Sequence, residues 1–138
     1  MEIYIVEDDV TVISILEDII EDNELGTVCG TTEGGPANVD EILALEPDVI
    51  LVDFLMPGKD GVELVRELKE KGCGARCIMI SQVSAKELVG KAYDAGMEFF
   101  ISKPINIIEV KSVIQKVEKQ IENEKTLSNI KKMFMAEI

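Results

Sequence analysis

The stretch Val49-Ile50-Leu51-Val52-Asp53 decides the fold, together with the loop that follows it over residues 54–61 (Phe-Leu-Met-Pro-Gly-Lys-Asp-Gly). Four consecutive apolar residues predict a strand that is buried on both faces, as in the centre of a parallel sheet. A carboxylate ends the run, and the proline and glycines after it indicate a loop. We therefore expect Asp53 to lie at the carboxyl end of a buried parallel strand.

Three other apolar runs also lead directly into polar residues. Residues 3–6 lead into Glu7-Asp8-Asp9, residues 77–80 into Ser81, and residues 99–101 into Ser102-Lys103-Pro104. The carboxyl ends of parallel strands share one edge of a sheet, and ligand sites of open α/β sheets lie there. The sequence therefore predicts that Glu7, Asp8, Asp53, Ser81 and Lys103 converge on one site, with Asp9 as a helix cap beside it.

Amphipathic stretches separate the apolar runs, so that a strand and a helix alternate five times. Short connections and right-handed crossovers then favour an α/β fold, a five-stranded parallel sheet with helices on both faces. The second strand is expected to be short, over residues 27–29. Glu46-Pro47 closes the second helix, and Asn106 with Glu109 is expected to cap the fifth.

Composition excludes several classes of function. The chain has 138 residues, no histidine and a net charge of −13; residues 1–103 carry 22 acids against 8 bases. This charge repels phosphate backbones, so direct nucleic-acid binding is not expected. Without histidine the chain cannot form a Ser-His-Asp triad or a His-ligated zinc site. We see no membrane span or signal peptide and expect a single cytoplasmic domain.

The three cysteines are interpreted as small apolar side chains in a reducing compartment. Cys73 and Cys77 are spaced C-x3-C, and metal binding or reactivity of that pair is the alternative.

The last quarter of the chain changes its pattern. Apolar residues follow 3–4 spacing through Ile121, are interrupted over 122–126, and resume in another phase at Leu127, Ile130 and Phe134. We expect a domain over residues 1–122. Residues 123–138 are then a helical linker, a dimer seam or the start of a missing effector domain.

The ordered motifs resemble the receiver domains of bacterial two-component response regulators, the CheY-like superfamily, over about residues 2–122. The resemblance rests on four features: Val-Glu-Asp-Asp at 6–9, Asp53 with Pro57 and Gly61, Ile80-Ser81, and Lys103-Pro104. It implies a flavodoxin-like (βα)5 fold with strand order 2-1-3-4-5. Because only proline makes a cis peptide bond accessible, the bond between Lys103 and Pro104 is a candidate for that form.

The resemblance also implies residue roles. Asp53 is the phospho-acceptor, and the phosphoryl group comes from a partner histidine kinase. Mg²⁺ takes oxygen ligands in octahedral geometry, and the implied metal residues are Glu7 acting through water, Asp8, Asp53 and the backbone carbonyl of Leu55. Lys103 and Ser81 would contact phosphoryl oxygens as a point charge and a hydroxyl donor.

The implied switch pairs Ser81 with Phe100 and changes the face formed by the fourth helix, fifth strand and fifth helix. A homodimer through this face or through the C-terminal helix is a further possibility. Residues 80–90 resemble receivers attached to DNA-binding domains in glutamine-responsive regulators, which favours a transcriptional output.

Two rival interpretations remain, and one position departs from the family. Gln82 stands where the family has a small residue. An Asp-nucleophile phosphatase needs a second aspartate two residues after the first, where this chain has Leu55; the chain is therefore not expected to be an enzyme beyond its own phosphorylation and dephosphorylation. The other rival is a binding scaffold that has lost the chemistry.

Overall fold

The structure is a computed structural model that describes residues 1–32, 38–54, 60–82 and 86–136, with the side chains of Asn38 and 86–88 excepted. Strands and helices alternate throughout. The order is β1 (Glu2–Val6), α1 (Val10–Asp22), β2 (Thr27–Thr32), α2 (Asn38–Leu45), β3 (Val49–Asp53), α3 (Gly61–Glu70), β4 (Arg76–Ser81), α4 (Lys86–Asp94), β5 (Met97–Ser102) and α5 (Ile107–Ala136).

All four strand pairings are parallel, and the order across the sheet is β2-β1-β3-β4-β5. The predicted α/β fold and strand order are therefore confirmed. β2 runs six residues rather than the three expected, because it pairs with the whole of β1 across a register shift between Ile3 and Tyr4.

Side chains alternate along the central strands, so that each face of the sheet has its own core. Tyr4, Val6 and the even residues of β3 pack with α2, α3 and α4. Ile3, Ile5 and the odd residues of β3 pack with α1 and the first half of α5. Both faces of β3 are covered, as its uninterrupted apolar run predicts.

Side-chain hydrogen bonds cap the N-termini of α1 and α5, next to the carboxyl edge of the sheet. Asp9 is the N-cap of α1 and accepts a hydrogen bond from the Thr11 N–H at 2.9 Å, as predicted. Asn106 accepts from the Ile108 and Glu109 N–H groups at 2.9 and 3.2 Å. The Glu109 carboxylate does not return to Asn106 as expected; it accepts from the backbone and side chain of Ser102, at the end of β5.

α5 continues as one helix through residues 122–126 to Ala136. Burial stops near Val117, and most of the turns beyond residue 121 have exposed side chains. Among the described residues, no helix has the length and apolar composition that crossing a bilayer requires.

Candidate functional site

The site lies at the carboxyl edge of the sheet and is built by four neighbouring strands. Asp53 is the last residue of β3, and its Cα pairs with that of Ile80, one residue before Ser81. Glu7 directly follows β1, and Lys103 directly follows β5. Side chains from four separate parts of the sequence therefore meet because parallel register aligns the ends of their strands.

Gly61, the first residue of α3, lies directly against the end of β3. Its N–H donates to the Phe54 carbonyl at 3.0 Å, and a Cβ at this position would collide with the Asp53 carbonyl oxygen. Asp60, just before it, caps α3 by accepting from the Glu63 N–H at 2.8 Å. Steric hindrance by the Asp53 carbonyl therefore explains why position 61, eight residues after the aspartate, is glycine.

Three carboxylates form the acidic half of the site. One oxygen each from Glu7, Asp8 and Asp53 lies within 4.8 Å of the others. Glu7 is fully buried and Asp53 is 4% exposed, whereas Asp8 is open to solvent. The acidic cluster therefore has two buried carboxylates and one that is exposed to solvent.

Lys103 is the cationic half of the site and bridges the two buried acids. Its Nζ lies 3.1 Å from Glu7 Oε2 and 3.4 Å from Asp53 Oδ1. The sequence assigns Lys103 only to a phosphoryl oxygen. In the structure its ammonium also pairs with the Glu7 carboxylate. The bond between Lys103 and Pro104 is cis, as predicted.

The surroundings shift the protonation of all three groups. Burial, followed by the charge of Asp53, raises the pKa of Glu7 to about 7 against the opposing effect of Lys103. Burial also raises the pKa of Asp53, although Lys103 opposes the shift. Burial lowers the pKa of Lys103, but its hydrogen bond to Glu7 and the charge of Asp53 outweigh that effect and raise it.

The donor set fits a hard divalent cation. Glu7 Oε2 is buried and, among the described residues, accepts no hydrogen bond even though it is ion-paired with Lys103. One ammonium also leaves the charge of three carboxylates incompletely balanced. Clustered carboxylate oxygens with unmet electrostatic demand are the ligands that Mg²⁺ and Ca²⁺ take in proteins.

An open cavity of about 260 Å³ lies over these groups. Its lining contains every side chain predicted for the metal and phosphoryl chemistry, plus two more that sequence reasoning treated as neighbours: Glu7, Asp8, Asp9, Asp53, Ser81, Gln82 and Lys103. Asp9 lines the cavity while it caps α1. The Ser81 carbonyl accepts from the Lys103 N–H at 3.0 Å, which joins the ends of β4 and β5.

Two predicted residues are not part of this description of the cavity, for different reasons. Leu55, whose carbonyl is an implied metal ligand, falls outside the described residues. Phe100 is half-buried on β5 and packs against the core shared with α2, α3 and α4. It is not among the residues that line the cavity, and its role in a switch stays a prediction.

A second polar cluster, at the opposite edge of the sheet, was not predicted. Arg76, the first residue of β4, pairs with Glu124 of α5 and lies 3.8 Å from Glu98 of β5. The Gln120 amide donates to Glu98 at 3.3 Å. We name these four residues the Arg76 clamp. Its members are up to 48 residues apart, so no local pattern could have revealed it.

Comparisons with known proteins agree with this geometry. Residues 3–115 match the family model of the response regulator receiver domain. The chain is 45% identical over 131 residues to the transcriptional regulatory protein GlnL of Bacillus subtilis, covering 94% of this chain and 41% of GlnL. It is 30% identical over 116 residues to the chemotaxis protein CheY of Halobacterium salinarum, covering 84% and 95%.

Solved structures share the fold. The receiver domain of AraT, a response regulator from Geobacillus stearothermophilus, superimposes with a TM-score of 0.80 at 24% identity, covering 90% of this chain and 97% of that one. The signal receiver domain of the response regulator NarL from Mycobacterium tuberculosis gives 0.78 at 24% identity, covering 85% and 95%. This chain belongs to the response regulator receiver domain family of two-component signalling systems.

Proposed function

We propose that this chain is a phospho-acceptor switch in which a partner histidine kinase transfers a phosphoryl group to Asp53. The observation that carries the proposal is the position of the Asp53 carboxylate, nearly buried at the base of a small cavity and 3.4 Å from the Lys103 ammonium. These 138 residues contain no histidine, so a phosphohistidine donor must lie outside them.

Each side chain has a distinct task in the transfer. An Asp53 oxygen forms the new O–P bond as the P–N bond to the partner's histidine breaks. Lys103 is already held beside Asp53 by Glu7, so its charge is in place for a phosphoryl oxygen before the group arrives. Ser81 offers its hydroxyl from the rim of the same cavity.

Glu7, Asp8 and Asp53 would hold a Mg²⁺ ion, together with the Leu55 carbonyl implied by the family. When bound, the ion supplies positive charge that offsets the phosphoryl oxygens and the clustered carboxylates. Glu7 then has a second function, because it keeps Lys103 directed at the site. Burial is the main cause of the raised pKa of both acids, and the charge of Asp53 adds to the shift of Glu7.

The switch would follow from the added charge. Phosphorylated Asp53 would carry about two negative charges, which attract the Ser81 hydroxyl at the end of β4. Phe100, on the neighbouring strand, would then fill the vacated space and alter the face formed by α4, β5 and α5. Such coupling is typically worth about 1–3 kcal/mol, so both states should be populated without phosphate.

The output we infer is control of transcription in the cytoplasm through an effector domain. GlnL, whose printed description is a transcriptional regulatory protein, is more than twice as long as the part this chain matches. Residues 123–138 would then connect the receiver to that effector. Direct DNA contact by this acidic segment is not expected.

The test is mass spectrometry after incubation with acetyl phosphate and Mg²⁺. We expect one phosphoryl group on the wild type and none on Asp53→Asn. Asp60→Asn is the matched control, since Asp60 caps α3 nearby yet does not line the cavity; it should be phosphorylated like the wild type. A folded wild type that takes up no phosphate would favour the scaffold interpretation, and turnover of a phosphomonoester would favour the phosphatase.

A further inference from the structure

The Glu109 side chain, in the first turn of α5, turns back to the end of β5. The Ser102 hydroxyl lies 2.9 and 3.0 Å from its two carboxylate oxygens, and one of these oxygens also accepts from the Ser102 backbone N–H. Asn106 already caps α5 by accepting from the Ile108 and Glu109 N–H groups. Among the described residues, the hydrogen bonds of the Glu109 carboxylate are therefore all made to Ser102.

β5 is an edge strand, and Glu109 takes the place of the neighbouring strand on its open side. β5 comes last in the strand order and pairs with β4. The Lys103 N–H points toward β4 and donates to the Ser81 carbonyl at 3.0 Å. Because successive N–H groups point to opposite sides of an extended chain, the Ser102 N–H points outward, where an edge strand offers no ladder partner. The Glu109 carboxylate supplies that partner.

Two consecutive peptide groups are therefore held from opposite sides. Glu109 holds the N–H of the peptide group before Ser102, and Ser81 holds the N–H of the next one, which contains the backbone nitrogen of Lys103. The φ and ψ angles of Ser102 are the only soft dihedrals between these two planes. Fixing both planes fixes those angles, so Ser81 and Glu109 together set the point from which the Lys103 side chain starts.

The position of the Lys103 ammonium depends on that starting point. Its Nζ lies between two buried carboxylates, 3.1 Å from Glu7 and 3.4 Å from Asp53. The lysine side chain is a flexible four-carbon stem, so it does not fix the ammonium without a fixed backbone. A group that acts on a reacting centre can lose about 100-fold in rate when it is displaced by about 1 Å.

We infer that Glu109 is a positioning residue for phosphoryl transfer to Asp53, because it holds the end of β5 so that the Lys103 ammonium meets the entering phosphoryl group. The inference rests on the phospho-acceptor function proposed above. Glu109 is not among the described residues that line the cavity, so it acts through Ser102 and Lys103 and not by contact with phosphate. Ser102 is exposed, so water can replace part of a lost contact, and the effect should be graded.

Two measurements on the same variants test the inference. Hydrogen exchange followed by NMR, without phosphate, should show the Lys103 N–H exchanging about fivefold faster in Glu109→Ala, while the Leu51 N–H in β3 is unchanged because the loss is local. The initial rate of Asp53 phosphorylation by acetyl phosphate and Mg²⁺ should fall about tenfold in the same variant. Glu109→Gln should stay within about threefold of the wild type in both, because its amide oxygen still accepts, though more weakly. Glu122→Ala, at an exposed position of the same helix, is the matched control.

Three outcomes would overturn the role of Glu109. Unchanged exchange of the Lys103 N–H in Glu109→Ala would show that Ser81 alone holds that peptide group. A wild-type phosphorylation rate in Glu109→Ala would show that the ammonium reaches its place without this contact. Equal slowing by Glu122→Ala would assign the effect to α5 as a whole. A wild type that takes up no phosphoryl group would instead contradict the proposed function itself, so the two failures are distinguishable.

Discussion

The two edges of this sheet treat charge in opposite ways. At the carboxyl edge, Glu7 and Asp53 are buried, and one ammonium serves a cluster of three carboxylates. At the amino edge, Arg76 balances two acids whose side chains are about half exposed, Glu98 and Glu124. Burial makes an unbalanced charge costly, whereas solvent screens an exposed one. Repulsion among the carboxylates at the carboxyl edge therefore destabilises the folded state, and a bound cation would relieve it. At the amino edge the charges are balanced and contact a helix.

The largest contrast should appear when one cation is removed from each environment. Lys103→Met leaves two buried carboxylates facing each other, so we expect a loss of about 3 kcal/mol in the free energy of unfolding at pH 8. Lys71→Met removes a lysine that pairs with Glu67 on the surface of α3 at 3.2 Å, and should cost less than about 0.5 kcal/mol. Urea denaturation measures both, and equal losses would contradict the proposed difference between buried and exposed charge.

Stability should depend on pH through Glu7. Its folded-state pKa is raised to about 7 from an ordinary value of 4.5, so the folded state binds the proton more tightly than the unfolded chain does. Stability without metal should therefore fall as the pH rises from about 4.5 to 7, by on the order of 2 kcal/mol, and then level off.

Glu7→Gln tests the origin of that slope, because the amide keeps the shape of the side chain and does not titrate. Its stability should vary much less over the same pH range. A wild-type profile that is flat, or that rises with pH in the absence of metal, would show that Lys103 fully compensates the buried pair.

The response to Mg²⁺ should depend on Asp8 and not on its neighbour Asp9. Mg²⁺ is expected to raise the melting temperature of the wild type by relieving repulsion at the carboxyl edge. Asp8→Asn should weaken this response about tenfold in apparent affinity, whereas Asp9→Asn should mainly cost helix stability, because Asp9 caps α1. Equal losses in a thermal titration would show that the wrong pair of acids is assigned to the metal.

The smallest effect is expected at the amino edge. Arg76→Gln should cost no more than about 1 kcal/mol globally, yet it should speed hydrogen exchange of residues 122–136 because the extension loses its attachment to β4. Lys125→Gln, one residue from Glu124 but outside the clamp, is the control. Unchanged exchange in Arg76→Gln would mean that the helix needs no clamp to stay formed.

Much of the fold could be predicted because the signals are local. The apolar run of β3 leads into Asp53, and similar runs lead into Glu7, Ser81 and Lys103, so each strand also identifies its polar end. Once the strands are taken as parallel, their polar ends must share an edge. The length of β2 was missed because its pairing with β1, rather than its own sequence, extends it to Thr32.

Several properties of the site could not be predicted, because they depend on distance in space. Nothing local indicates that Glu7 is fully buried, or that Lys103 approaches Glu7 more closely than Asp53. The switch role of Phe100 and the boundary at residue 122 remain predictions. The capping pattern at Asn106 was only half right, since Glu109 found a nearer partner in Ser102.

The sequence by itself determined the α/β class, the residue types at the carboxyl edge of the sheet and the phase change of the apolar pattern along α5, since all three depend on residue type and spacing. Tertiary structure alone decided how deeply the acids are buried, which acid lies nearest Lys103, and that Arg76 pairs with the outgoing helix. These features depend on desolvation and on contacts between residues up to 96 positions apart. Electrostatic interactions between such groups become strong only when the folded chain excludes water from between them.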